Sequence, residues 1–142
     1  MKVNEIMTRN PVCMAPDATV RDAAGRMREM DVGSFPVCEN ERLVGVVTDR
    51  DIVVRSAAEG HDPNTDRVRE VMTPKIVYCF EDEDVDEAAK LMRDHQIRRL
   101  PILSQDKMLV GIVALGDLAI DTSPRLSGIT LKSVSEPSVP VG

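Results

Sequence analysis

A chain that contains the same pattern twice has to build one structural unit twice, and this chain does so. Val3-Asn4-Glu5-Ile6-Met7-Thr8 matches Val68-Arg69-Glu70-Val71-Met72-Thr73 at a displacement of 65 residues. At the same displacement Val20, Ala23, Ala24, Met27 and Arg28 match Val85, Ala88, Ala89, Met92 and Arg93, and Phe35-Pro36-Val37 matches Leu100-Pro101-Ile102. One extra residue enters the second copy near Met108. Beyond it, Leu43-Val44-Gly45-Val46-Val47 matches Leu109-Val110-Gly111-Ile112-Val113, and Asp51 matches Asp117. The matches keep their order through most of both halves, as duplicated structural units do.

The repeat divides the chain into residues 1–60, a polar linker 61–67, a second copy 68–120 and a tail 121–142 that reads as disordered, being rich in Ser, Pro and Thr with little periodicity. A copy of about 60 residues is marginal as an independent core, so the two copies are expected to pack together and share one. Phe35, Tyr78 and Phe80 are the only aromatic residues, so that core must be aliphatic.

Each copy opens on a short helical turn ending at Met-Thr. A short strand follows, Val12 to Met14 or Val77 to Phe80. Val20, Ala23, Ala24, Met27 and Met30 then recur with helical spacing. Thr19 with Asp22, and Asp84 with Glu87, form capping-box patterns at the two helix starts. Two strands follow as a hairpin: Phe35 to Cys38 with Leu43 to Val47, and Leu100 to Leu103 with Leu109 to Val113. Pro36 and Pro101 read as strand starts, where a missing N–H is tolerated. A last helix runs from Asp49 to about Ala58 and stops at Gly60. The fold class is α+β, two βαββα units.

These features resemble the CBS-domain family. The resemblance rests on the twofold unit, the Met-Thr opening, Phe-Pro-Val and Leu-Pro-Ile before the hairpins, and above all Gly45-Val46-Val47-Thr48-Asp49-Arg50-Asp51, which fits a Gly-h-h-Thr/Ser-x-x-Asp pattern. It covers residues 3 to 120. It implies tandem CBS domains, a stand-alone Bateman module whose repeats pack sheet to sheet with pseudo-twofold symmetry and which commonly forms a homodimer. It also implies an adenosyl ligand between the repeats: AMP, ADP, ATP or S-adenosylmethionine, with no obligatory cofactor.

Thr48 and Asp51 are the first candidates for that ligand. A helix that starts directly after a strand offers unpaired N–H groups to a phosphate, and the Thr48 hydroxyl adds a contact. Asp51, one turn in, can accept hydrogen bonds from two ribose hydroxyls. The plain alternative is an N-cap with an acidic third residue. The second copy keeps Asp117 but has Ala114 where the first has Thr48, so one good site and one degraded site are expected. Arg98 and Arg99, before the Leu100 strand, suit bidentate phosphate contact; alternatively they are solvated cations answering Asp94.

Cys13 and Cys38 fall on strands that should be neighbours. The pair reads as a disulfide or as two reduced core thiols, and a cytoplasmic setting favours the thiols. Cys79 has no evident partner, and His61 and His95 read as surface residues. No metal site has the right spacing. The acidic run Glu81 to Asp84 reads as a solvated turn rather than a Mg²⁺ site.

A net charge of −6 opposes nucleic-acid and anionic-membrane binding. No secretory leader or spanning segment is visible, so the expected location is cytoplasmic. No nucleophile–base pair, metal set or phosphate-binding Gly-rich loop points to an enzyme. The expected function is a regulatory module that binds an adenine nucleotide and signals to a regulated protein by a conformational or dimer change. The alternative is a ligand-free scaffold for protein interaction or stress response.

Overall fold

A computed structural model describes residues 1–121; the expected disordered tail beyond Asp121 lies outside the described residues. The first copy holds a 3-10 turn Val3–Glu5, β1 Thr8–Arg9, α1 Val20–Met30, β2 Ser34–Glu39, β3 Arg42–Thr48 and α2 Asp49–Ile52, which continues as a π-helical turn Val53–Ala57. The second holds α3 Val68–Val71, β4 Cys79–Phe80, α4 Val85–His95, β5 Arg99–Leu103, β6 Leu109–Ala114 and α5 Leu115–Asp121. Helices and strands are mixed in the order the repeat predicts.

Local chemistry fixes the ends of the two long helices. Thr19 Oγ1 accepts from the Asp22 N–H at 3.1 Å, and α1 ends on Asp31 in the left-handed region at φ 54°. α4 ends the same way on Gln96, at φ 52°. The cap of α4 differs from the expected Asp84–Glu87 box. Asp84 Oδ1 accepts instead from the Asp86 N–H at 3.0 Å, because its short side chain reaches the donor two residues on, while the Glu87 N–H bonds the Asp84 carbonyl. Pro36 and Pro101 lie inside β2 and β5 rather than at their starts. Pro36 faces Val46, whose N–H and C=O are both turned away to Thr73, so no ladder bond is asked of the proline nitrogen.

The repeats in sequence and the compact units in space have different boundaries. One unit comprises Met1–Pro11, Val77–Asp106 and Val110 onward; the other comprises Val12–Ile76 and Lys107–Leu109. Each unit therefore takes the leading Met-Thr segment of the other repeat. In the first, Val3 N–H donates to Glu83 O, Asn4 N–H to Glu81 O and Val85 N–H to Met1 O, all within 3.0 Å. In the second, the equivalent bonds run from Val68 to Ala18, Arg69 to Pro16 and Val20 to Asp66. The first unit holds a four-stranded sheet in the order β1-β6-β5-β4, with β1 antiparallel to β6 and β4 parallel to β5. The second repeats that order in shorter form: Thr73 bridges Val46, β3 pairs with β2, and Met14 bridges Val37 in parallel. The predicted first strands shrink to Met14 and to Cys79–Phe80, since the residues before them carry the chain from one unit into the other.

The expected single shared core resolves into two, each drawing on both repeats. Val3, Ile6 and Met7 pack with Met92, Leu100, Ile102 and Val113, and Val68 and Val71 pack with Val20, Met27, Phe35 and Val47. Gly45 and Gly111 make this possible. A Cβ on Gly45 would lie 2.8 Å from Met72 Sδ and 3.0 Å from the Thr73 carbonyl oxygen; on Gly111 it would lie 2.5 Å from Met7 Sδ and 3.0 Å from the Thr8 oxygen. The repeated glycine is the floor on which the other repeat's Met-Thr rests.

Candidate ligand site

β3 runs into α2 at Thr48, and both arms of the capping box close there. Thr48 Oγ1 accepts from the Asp51 N–H and Asp51 Oδ2 accepts from the Thr48 N–H, each at 3.0 Å. The other carboxylate oxygen, Oδ1, accepts from the Thr73 hydroxyl at 3.4 Å and lies 4.0 Å from Arg55 Nε. Arg55 also donates to the carbonyls of Val71 and Met72, at 3.3 and 3.1 Å. The Asp51 side chain is only 12% exposed. Two hydroxyls, one carboxylate and one guanidinium thus meet in a single compact unit. The two contacts to Oδ1 are long, so this oxygen is the one open to competition from a stronger donor.

A phosphate contact from the helix N–H groups does not fit this geometry. The Asp49 N–H donates to Gly33 O at 2.9 Å, Arg50 N–H to Asp49 Oδ1 at 2.8 Å, and Asp51 N–H to Thr48. The first turn is consumed within the protein. What remains to offer a ligand is the Thr48 hydroxyl proton and Asp51 Oδ1, a set that matches sugar hydroxyls better than an anion.

The equivalent junction in the other unit is poorer. Asp117 Oδ2 accepts from the Ala114 N–H at 2.8 Å, which preserves one arm of the cap without the hydroxyl. Position 121, where the repeat places the counterpart of Arg55, is an aspartate. Arg98 reaches this junction through its backbone, its carbonyl accepting from the Leu115 N–H at 2.9 Å. Arg98 and Arg99 both have exposed side chains, and Asp94 pairs with Arg93 instead. The structure thus brings Thr48 and Asp51 together in one unit and Arg98 and Asp117 near one another in the other.

Sequence reasoning missed Thr73 and Arg55. Arg55 stands four residues after Asp51, a spacing that carries a signal of its own. Thr73 carries none, since nothing in the repeat says that the second Met-Thr returns to the first β3.

Cys13 and Cys38 are neighbours in the same unit, both free thiols, one exposed and one buried. Burial, the charge of Cys13 and a hydrogen bond to Cys13 push the Cys38 thiol up to about 12; burial followed by Glu83 and Glu87 does the same to Cys79. Against an ordinary value of 9.0, a raised thiol pKa keeps more protons on the folded chain between pH 9 and 12, so stability is full below pH 9 and falls above it. Each thiol should remove about 1 kcal/mol between pH 9 and 10. Urea titrations at the two pH values should show the loss, and Cys79→Ala should reduce it.

The profile of the CBS domain matches residues 3–57 and 68–120. The chain is 41% identical over 138 residues to the CBS domain-containing protein YhcV of Bacillus subtilis, covering 96% of this chain and 97% of that one. Among solved structures it is similar to Hypoxic Response Protein I with two coordinated zinc ions (TM-score 0.79, 37% identity, 87% of this chain and 100% of that one). It is also similar to CBSX2 in complex with AMP (TM-score 0.73, 26% identity, 92% and 98%). Among the described residues, no group of three or more His, Cys, Asp and Glu side chains is arranged to hold a metal ion.

Proposed function

The chain belongs to the CBS-domain family, and from that premise we propose that it is a regulatory module that binds an adenosyl ligand, with Asp51 on the ribose and Thr48 beside it. Proteins built only from such pairs are generally regulatory rather than catalytic, and the AMP held by CBSX2 supports the choice of ligand class. The observation that carries the reading is the nearly buried Asp51 carboxylate, held by its cap through one oxygen and only loosely engaged through the other. Buried carboxylates are expensive unless hydrogen-bonded, and ribose hydroxyls are the better donors for the loose one.

The same contacts supply a signal. Thr73 and Arg55 tie Asp51 to α3 and the residues after it, which belong to the second repeat. A ribose that takes Oδ1 displaces those contacts and shifts the leading segment, giving the ligand a differential effect on two conformations. A second copy and a regulated protein are the partners that would read it. Val53 and Val54, 60% and 45% exposed on the π-helical turn, provide an apolar surface for the second copy. Asp117, with Arg98 and Arg99, forms at best a weak second site. Among the described residues no helix is long and apolar enough to cross a membrane.

Calorimetric titration with AMP, ADP, ATP and S-adenosylmethionine tests the reading. One of them should bind saturably. Asp51→Asn, which keeps the shape and an acceptor for the Thr48 N–H, should weaken it about 10- to 100-fold, the worth of a charged hydrogen bond. No heat and no thermal shift with any of the four would sink the sensor and leave the ligand-free scaffold.

A further inference from the structure

Met14 bridges Val37 in parallel, with the Met14 N–H on Pro36 O at 2.9 Å and the Cys38 N–H on Met14 O at 3.0 Å. Cys13 and Cys38, each one residue away from that pair, therefore lie on the same face of adjacent strands, opposite the side that buries Met14 and Val37. Cys13 is exposed and Cys38 is 8% exposed. Cys13 also lines an open groove of about 530 Å³ along α1, together with Arg21, Asp22, Gly25, Arg26 and Glu29. Gly25 leaves its floor bare, since an added Cβ there would meet nothing within 4 Å. Arg21 is braced by Asn64 Oδ1 at 2.9 Å. The groove thus presents two cations and two anions around one accessible thiol, backed by a second, shielded thiol.

We propose that Cys13 and Cys38 are a dithiol redox site that exchanges with a low-molecular-weight disulfide of the amino-acid type bound in the α1 groove. A disulfide of that class carries carboxylates and ammonium groups, which answer Arg21 and Arg26 on one side and Asp22 and Glu29 on the other. The Cys13 thiolate attacks one sulfur of the reagent. A Cys13–reagent bond forms, the reagent's own S–S bond breaks, and one small thiol leaves with the proton from Cys13. Cys38 then attacks the Cys13 sulfur as a thiolate, the protein disulfide forms, and the second small thiol leaves with the proton from Cys38. Two protein thiols lose two electrons and two protons, and one small disulfide becomes two small thiols.

The order of attack follows from access and charge. Only Cys13 faces the groove. Burial is the main cause that holds the proton on Cys38; the charge of Cys13 and a hydrogen bond to Cys13 add to it while Cys13 is free. Capping Cys13 abolishes both effects, so the buried thiol becomes easier to ionise once there is a mixed disulfide to resolve.

The test exposes the reduced wild-type protein to glutathione disulfide, alkylates it and maps the peptides by mass. Two of the three thiols should disappear as a Cys13–Cys38 cross-link, with Cys79 still alkylated. Cys38→Ser should stop at one glutathione on Cys13. Cystamine, a disulfide without carboxylates, should react several-fold more slowly than glutathione disulfide. The dithiol site is overturned if wild-type Cys13 stays free, or if its glutathione adduct persists unresolved. The assignment of the groove is overturned if cystamine reacts as fast. The wild-type mapping needs no variant to fold, and it is independent of whether any nucleotide binds.

Discussion

Leu100→Ala is expected to lower the unfolding free energy by about 2–5 kcal/mol, the range for large-to-small changes in cores that collapse only partly. Leu100 is fully buried in β5 and is followed by Pro101, whose ring fixes the backbone. It packs in the cluster that also contains Met92 on α4, Val113 on β6, and Val3, Ile6 and Met7 from the other repeat. A cavity there would loosen three secondary-structure elements at once. With so few aromatic residues in the chain, no large ring stands ready to swing into it. Urea denaturation reads the loss as a lower midpoint at constant slope. A cost under about 1 kcal/mol would mean that β5 is not the centre of this core.

Gly45→Val is expected to cost about 1–3 kcal/mol by the opposite mechanism, overpacking. The new Cβ meets Met72 Sδ at 2.8 Å and the Thr73 carbonyl at 3.0 Å, and the two methyls of valine add to the clash. Met72 can swing aside because its side chain is flexible. The Thr73 carbonyl cannot, since it accepts the Val46 N–H at 3.0 Å and is part of the bridge that seats the leading segment. The damage should therefore fall on the attachment of α3, visible as early hydrogen exchange of the Thr73 amide. Gly25→Ala on α1 is the matched control: its Cβ meets nothing, and alanine in a helix interior is worth about 0.5–1 kcal/mol over glycine. Equal losses from the two substitutions would refute the view that Gly45 is needed for close approach.

The sequence made the sequence of elements and the hairpins legible because periodicity and duplication are local properties. Thr19 and Thr48 were readable as caps for the same reason, and both accept the N–H three residues on. The exchange of leading segments was not readable. Comparing Val3-to-Thr8 with Val68-to-Thr73 says that they are alike, not which β-strand each one meets. Half of the candidate site was lost with it: Asp51 and its cap were evident from spacing, but Thr73 reaches Asp51 across 22 positions of chain. The helix N–H groups were misjudged for another reason. The motif promises donors, yet Gly33 O and the Asp49 carboxylate occupy the first two of them, and neither competitor belongs to the pattern.

The crossed segments also set a timetable for synthesis. The residues that cover Val3, Ile6 and Met7 run as far as Leu118, so these three are synthesised long before their cover is complete. Nearly all of the other core is complete once Val71 has emerged. Duplication copied a stretch of about 60 residues, but the smallest stretch that can close a core is not that copy. Neither half of this chain carries all the apolar surface its own strands and helices must cover, and the two halves are bound to each other's fate by the glycine that each keeps bare.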